Sequence, residues 1–176
     1  MKYINYLNYI FRHKFYVAQE CFKRGLYWRG IIHDWSKFLP DEFFPYAESF
    51  YGIGKYSDEF EVSYVKTFLA ETGKVIPFNK TKLGVRQAFN KSWMLHQRRN
   101  KHHHQYWVLR EDSGNVFAIE MPVKYATEMV CDWIGAGKAI NGKNDVVSWY
   151  EKNKDKMILH ENTRKFVEFL IYNDSR

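Results

Sequence analysis

Residues 122–142 read PVKYATEMVCDWIGAGKAING. A proline opens the stretch, where its fixed φ and missing N–H suit the first turn of a helix. Asn141-Gly142 closes it, where glycine suits the C-terminal cap. The spacing predicts a helix from Pro122 to about Ala139. Its middle is apolar, yet it carries Glu128 and Asp132 four residues apart and so on one side. A buried carboxylate without a partner is costly, so Asp132 requires one, and a metal ion is a natural candidate.

Helical punctuation continues in both directions from this stretch. Tyr6, Ile10, His13, Val17 and Phe22 fall on helical spacing and predict a helix from about Asn5 to Arg24, with Gly25 as its cap. A short helix covers Tyr27 to His33. Pro40 opens another, with Asp41 and Glu42 in its first turn, and Tyr51-Gly52-Ile53-Gly54 breaks it. Ser57 or Asp58 caps a helix to about Glu71, and a further one runs from about Lys82 to Arg99. Two more are expected near Val146 to Lys154 and from Asn162-Thr163 to Tyr172. The single strand signal is Tyr106–Leu109 and Val116–Ile119 flanking Asp112-Ser113-Gly114-Asn115, a hairpin with a glycine-containing turn. The expected fold is all-α: one helical domain over 1–176 with a small β-hairpin at about 106–119.

Composition agrees with a packed helical body. The chain has 176 residues, 45% hydrophobic and 19% aromatic, enough apolar surface to bury a core and to exclude disorder. The net charge of +7 favours anionic partners: nucleotides, phosphoesters, nucleic acid or an acidic surface. Cys21 and Cys131 form no CxxC pair and read as buried free thiols of a reducing compartment. No stretch has a signal-peptide core or transmembrane length, so a cytoplasmic protein without membrane partners is expected.

Histidines and acids supply the chemistry. His13 is followed by His33-Asp34, then His96, then His102-His103-His104, and finally Asp132. Imidazole and carboxylate without thiolate suit a catalytic site for one or two divalent ions (Mn, Fe, Co, Ni, Zn or Mg) rather than a structural zinc finger. On a helix, His33 and Asp34 would point about 100° apart, so both reach one ion only obliquely. A carboxylate there can also bridge two ions. His13 and Asp132 must arrive from separate helices.

The order His13, His33-Asp34, Asp132 resembles the signature of HD-domain phosphohydrolases. His33-Asp34-Trp35-Ser36-Lys37 is similar to that superfamily's dipeptide with a lysine just beyond. His96 and His102-His103 stand where members with two metals place a further His and a His-His pair. The phrases Asn100-Lys101-His102-His103 and Glu128-Met129-Val130-Cys131-Asp132-Trp133 resemble an uncharacterised bacterial and phage family of HD-like proteins. The resemblance spans most of the chain and implies metal-dependent hydrolysis of a phosphoester, in a nucleotide or related small molecule. Metal-held water, with its pKa lowered to about 7, would be the nucleophile. The implied metal ligands are His13, His33, Asp34, His96, His102, His103 and Asp132.

Asp34, Lys37 and Glu128 are the expected catalytic set, with Glu128 placed to orient a ligating imidazole. Lys37, Arg98, Asn100 and Lys101 are the expected substrate contacts. His104 and His160 fall outside the pattern. Two other functions fit the same residues. Arg24-Gly25-Leu26-Tyr27-Trp28-Arg29 interleaves cations with aromatics, as a nucleic-acid-binding module does. A structural metal would instead hold the fold together.

Overall fold

The computed structural model describes residues 1–56 and 58–173, the side chains of 58–61 excepted. The protein is all-α with one small antiparallel hairpin. Among the described residues eight α-helices follow in order: α1 (Lys2–Lys23), α2 (Tyr27–Ile32), α3 (Pro40–Tyr51), α4 (Asp58–Thr72), α5 (Lys82–Arg99), α6 (Val123–Asn141), α7 (Val146–Asn153) and α8 (Glu161–Asn173). Of the two expected caps of α4, Ser57 and the Asp58 side chain lie outside the described residues. None of the described helices is long and apolar enough to cross a membrane.

The chain divides into two compact units that interleave in sequence. One comprises Met1–Asn8 and Ser36–His96. Its core is aromatic: fully buried Tyr6 meets Phe43 at 5.3 Å and Tyr46 at 6.0 Å, and Tyr46 meets Phe89 edge-on at 5.0 Å. Such pairs add about 0.5–1.5 kcal/mol each beyond the area they bury.

The other unit comprises Tyr9–Trp35 and Gln97–Arg176. Helix α6 is its axis and packs on both α7 and α8. Met129, Val130 and Ile134 of α6 meet Val146 and Tyr150 of α7 and Val167 and Ile171 of α8. Cys131 packs in a second cluster with Val17 and Cys21 of α1. Burial on nearly every side explains why α6 reads as a continuous apolar helix rather than a one-sided stripe. Both cysteines are free and buried. Gly142 ends α6 in the left-handed conformation (φ 73°), and its N–H returns to the Lys138 carbonyl at 3.1 Å.

Two elements depart from the sequence reading. The hairpin pairs β1 (Val108–Arg110) with β2 (Val116–Ala118), in the register Val108↔Ala118. Tyr106 and Trp107 are not strand residues: His104–Trp107 is a 3-10 turn, and the Trp107 indole donates to the Lys101 carbonyl at 2.7 Å. That bond draws the chain back toward 101 and delays the strand. The second departure is at His33-Asp34. Helix α2 ends at Ile32, and Asp34 is the one described non-glycine residue at positive φ (52°). The dipeptide is therefore a left-handed turn, not helix.

Candidate metal centre

His33 and Asp34 aim at a common point because they leave the helix. Extended backbone at His33 followed by left-handed Asp34 reverses the chain within two residues. Aspartate is among the few residues that tolerate that conformation, and strained backbone of this kind gathers at functional sites. From α1 comes His13, and from α6 comes Asp132. Each of these four residues offers a ligand atom, and the four atoms lie within 4.8 Å of one another. His13, His33 and Asp34 are all at most 2% exposed.

His13 Nε2 lies 3.0 Å from Asp132 Oδ1 and 3.4 Å from Asp34 Oδ2. His33 Nε2 lies 3.3 Å from Asp132 Oδ1 and 3.4 Å from Asp34 Oδ2. On the other side, His102 Nε2 lies 3.3 Å from Asp34 Oδ1. The two oxygens of Asp34 thus face different imidazoles, and His103 also offers a ligand atom beside Asp34 and His102. Among the described residues, buried His13 Nε2 has carboxylate oxygens at 3.0 and 3.4 Å but no well-directed hydrogen bond. Nitrogens and oxygens that converge this closely, from imidazole and carboxylate alone, suit a borderline divalent ion, although His33 Nε2 and Asp132 Oδ1 also hydrogen-bond at 3.3 Å.

Glu128, one turn before Asp132, is fully buried behind these ligands. Its Oε1 lies 3.1 Å from His33 Nδ1 and 3.4 Å from His102 Nδ1. Its Oε2 accepts from Arg29 Nε and Nη2, both at 2.6 Å. An ionised carboxylate only accepts, so it holds the imidazole protons on Nδ1 and turns Nε2 toward the centre. The charge states agree. Burial pushes the Glu128 carboxyl up, but the bonds from His102 and His33 outweigh it and bring it to about 2. Burial likewise opposes ionisation of Asp132, yet His13 and His33 hold it well below the usual carboxylate range. Burial disfavours charge on His33, but Asp34, Asp132 and Glu128 together raise its pKa well above the ordinary imidazole value. The second ring proton of His33 sits where a bound cation would take its place.

This geometry lies within residues 2–173, the span matched by the family of unknown function DUF5662. The chain belongs to that family. No curated protein and no solved structure matches it.

In this DUF5662 chain the remaining expected residues divide by unit. His96 belongs to the first, where its Nδ1 lies 2.8 Å from buried Glu42 and 3.2 Å from the Ser36 hydroxyl. Lys37 belongs to the same unit, nearly buried in a 3-10 turn over Trp35–Phe38, so the helical turn expected between it and Asp34 is absent. In the second unit, Arg98 is exposed at the end of α5, and Lys101 is exposed beside His102. The Asn100 carbonyl accepts from His103 N–H at 3.1 Å. His104 hydrogen-bonds the Ile158 backbone, and burial lowers its pKa. His160 lies 3.8 Å from Glu120.

Two residues at the centre have no part in the sequence reading of the site. Lys14 donates to the carbonyls of His33 and Ile31, which ties α1 to the turn. Arg29, read in the sequence as a nucleic-acid contact, is instead bound to Glu128, and Arg24 is bound to Glu20 at 3.0 Å. Arg29 lies four residues before His33, a spacing that could have marked it; Lys14 carries no comparable signal.

Proposed function

We propose that the chain is a metal-dependent phosphohydrolase of the HD-domain type, acting on a nucleotide or related small phosphoester. The observation that carries this reading is the convergence of His13, His33, Asp34 and Asp132 within 4.8 Å in a largely buried cluster backed by Glu128. These four would hold one divalent ion. Asp34, through its other oxygen, would share a second with His102 and His103. Such an ion supplies a coordinated water with pKa near 7 and offsets charge on phosphoryl oxygens. The protein's own part is positional. Glu128 keeps Nε2 of His33 and His102 available, Arg29 pairs with the far oxygen of Glu128, and the turn at Asp34 presents both carboxylate oxygens.

Metal analysis of the purified protein, followed by a nucleotide panel with Mn, Mg, Co or Ni, tests the reading. Asp34→Asn is the informative variant, because asparagine also tolerates left-handed backbone and only the charge is lost. We expect bound transition metal and turnover in the parent, and loss of turnover by at least a hundredfold in a folded Asp34→Asn protein. Equal turnover in the variant, or a parent that binds no metal, rejects the proposal.

A further inference from the structure

The ring of Tyr125 carries three cations. Arg29 Cζ lies 4.8 Å from its centroid, Lys124 Nζ 5.1 Å and Lys101 Nζ 5.9 Å. Lys101 also lies 5.7 Å from the ring of Tyr106. The aromatic faces attract each ammonium but leave its charge in place. Glu128 offsets Arg29. Among the described residues, neither Lys101 nor Lys124 forms an ion pair with a carboxylate, and both are exposed. Like charges gathered at one ring repel each other and raise the local concentration of anions. The cluster also adjoins the centre. Lys101 precedes His102, and Tyr125 lies three and seven residues before Glu128 and Asp132, on the same side of α6.

We propose that Lys101 and Lys124, set on the ring of Tyr125, form a phosphate subsite for a non-reacting phosphate of a nucleotide with two or more phosphates. The inference rests on the phosphohydrolase reading. The half-exposed ring of Tyr106, beside Lys101, gives the base a face to stack on. A point-like ammonium pair suits a terminal phosphate, which needs charge more than a fixed fork of donors.

Calorimetric titration of pyrophosphate into the purified protein tests this directly. The variants are Lys101→Ala/Lys124→Ala and, as a control for bulk charge, Lys143→Ala/Lys152→Ala. We expect at least tenfold weaker pyrophosphate binding in the first pair and less than twofold in the second, with ADP displacing pyrophosphate from the parent. Equal binding by the parent and the first pair, or equal loss in both pairs, overturns the subsite. Displacement by a single-stranded oligonucleotide but not by ADP overturns it as a nucleotide site and assigns it to nucleic acid. Manganese content of the same samples separates the two readings. Bound manganese with lysine-independent pyrophosphate binding rejects only the subsite. Lysine-dependent binding in protein that takes up no manganese rejects only the centre.

Discussion

Arg29 reaches the candidate ligands through Glu128, the group that orients two of them. It places two guanidinium nitrogens on Glu128 Oε2, while Oε1 faces the Nδ1 atoms of His33 and His102. Arg29→Gln leaves that buried carboxylate without its counter-charge, so manganese affinity is expected to fall by about 10- to 100-fold. Arg29→Lys should recover part of the loss, since it restores the charge without the second nitrogen; manganese titration of both variants checks this. Glu20 is a purely structural counterpart. Burial pushes its carboxyl up, but hydrogen bonds from Lys138, Lys23 and Arg24 outweigh it and lower it from 4.5 to about 2. A lowered folded pKa contributes stability above the unfolded value and loses it as pH falls from about 4.5 toward 2. Glu20→Gln should therefore cost on the order of 2–3 kcal/mol at neutral pH. Urea unfolding of parent and variant should show that gap narrowing below pH 4.5.

At the scale of elements, the approach of α1 to α6 decides whether His13 can meet Asp132. Gly135 makes that approach: a Cβ there would stand 2.4 Å from Val17 Cγ2 and 2.9 Å from the Val17 backbone nitrogen. Val17 lies one turn beyond His13, and Gly135 three residues beyond Asp132, so the contact sits directly beside the ligand pair. Gly135→Ala must push the helices apart, because backbone on the facing helix cannot rotate away. Overpacking of this kind costs about 1–3 kcal/mol, against which the gain in helix propensity is about 1 kcal/mol. We expect a lower denaturation midpoint together with weaker manganese binding, read from urea unfolding and metal titration. A stable Gly135→Ala protein with unchanged affinity would show that the spacing of α1 and α6 is not what aligns the ligands.

At the scale of the whole molecule, a cation bound only by the folded chain stabilises it by mass action. Manganese at about 100 times its dissociation constant should add about 2.7 kcal/mol, a rise of about 5–10 °C in Tm for a chain of this size. EDTA should reverse the rise while the far-UV helical signal persists, because both units have cores of their own. Collapse of helicity on chelation would instead mark a structural ion. The resemblance to the HD-domain order, spread over most of the chain, singled out the imidazoles and carboxylates, while the amino-acid sequence by itself determined the all-α class and most helix boundaries. These last follow from signals within a turn or two: apolar periodicity, Pro122 and Pro40 at helix starts, and Gly142 at an end. Only the tertiary structure decided that His33-Asp34 is a left-handed turn, that Arg29 is held by a carboxylate 99 residues away, and that Gly135 lets two helices close on Asp132. Those outcomes depend on contacts between distant segments, which have no local pattern and acquire their energy only when the helices pack.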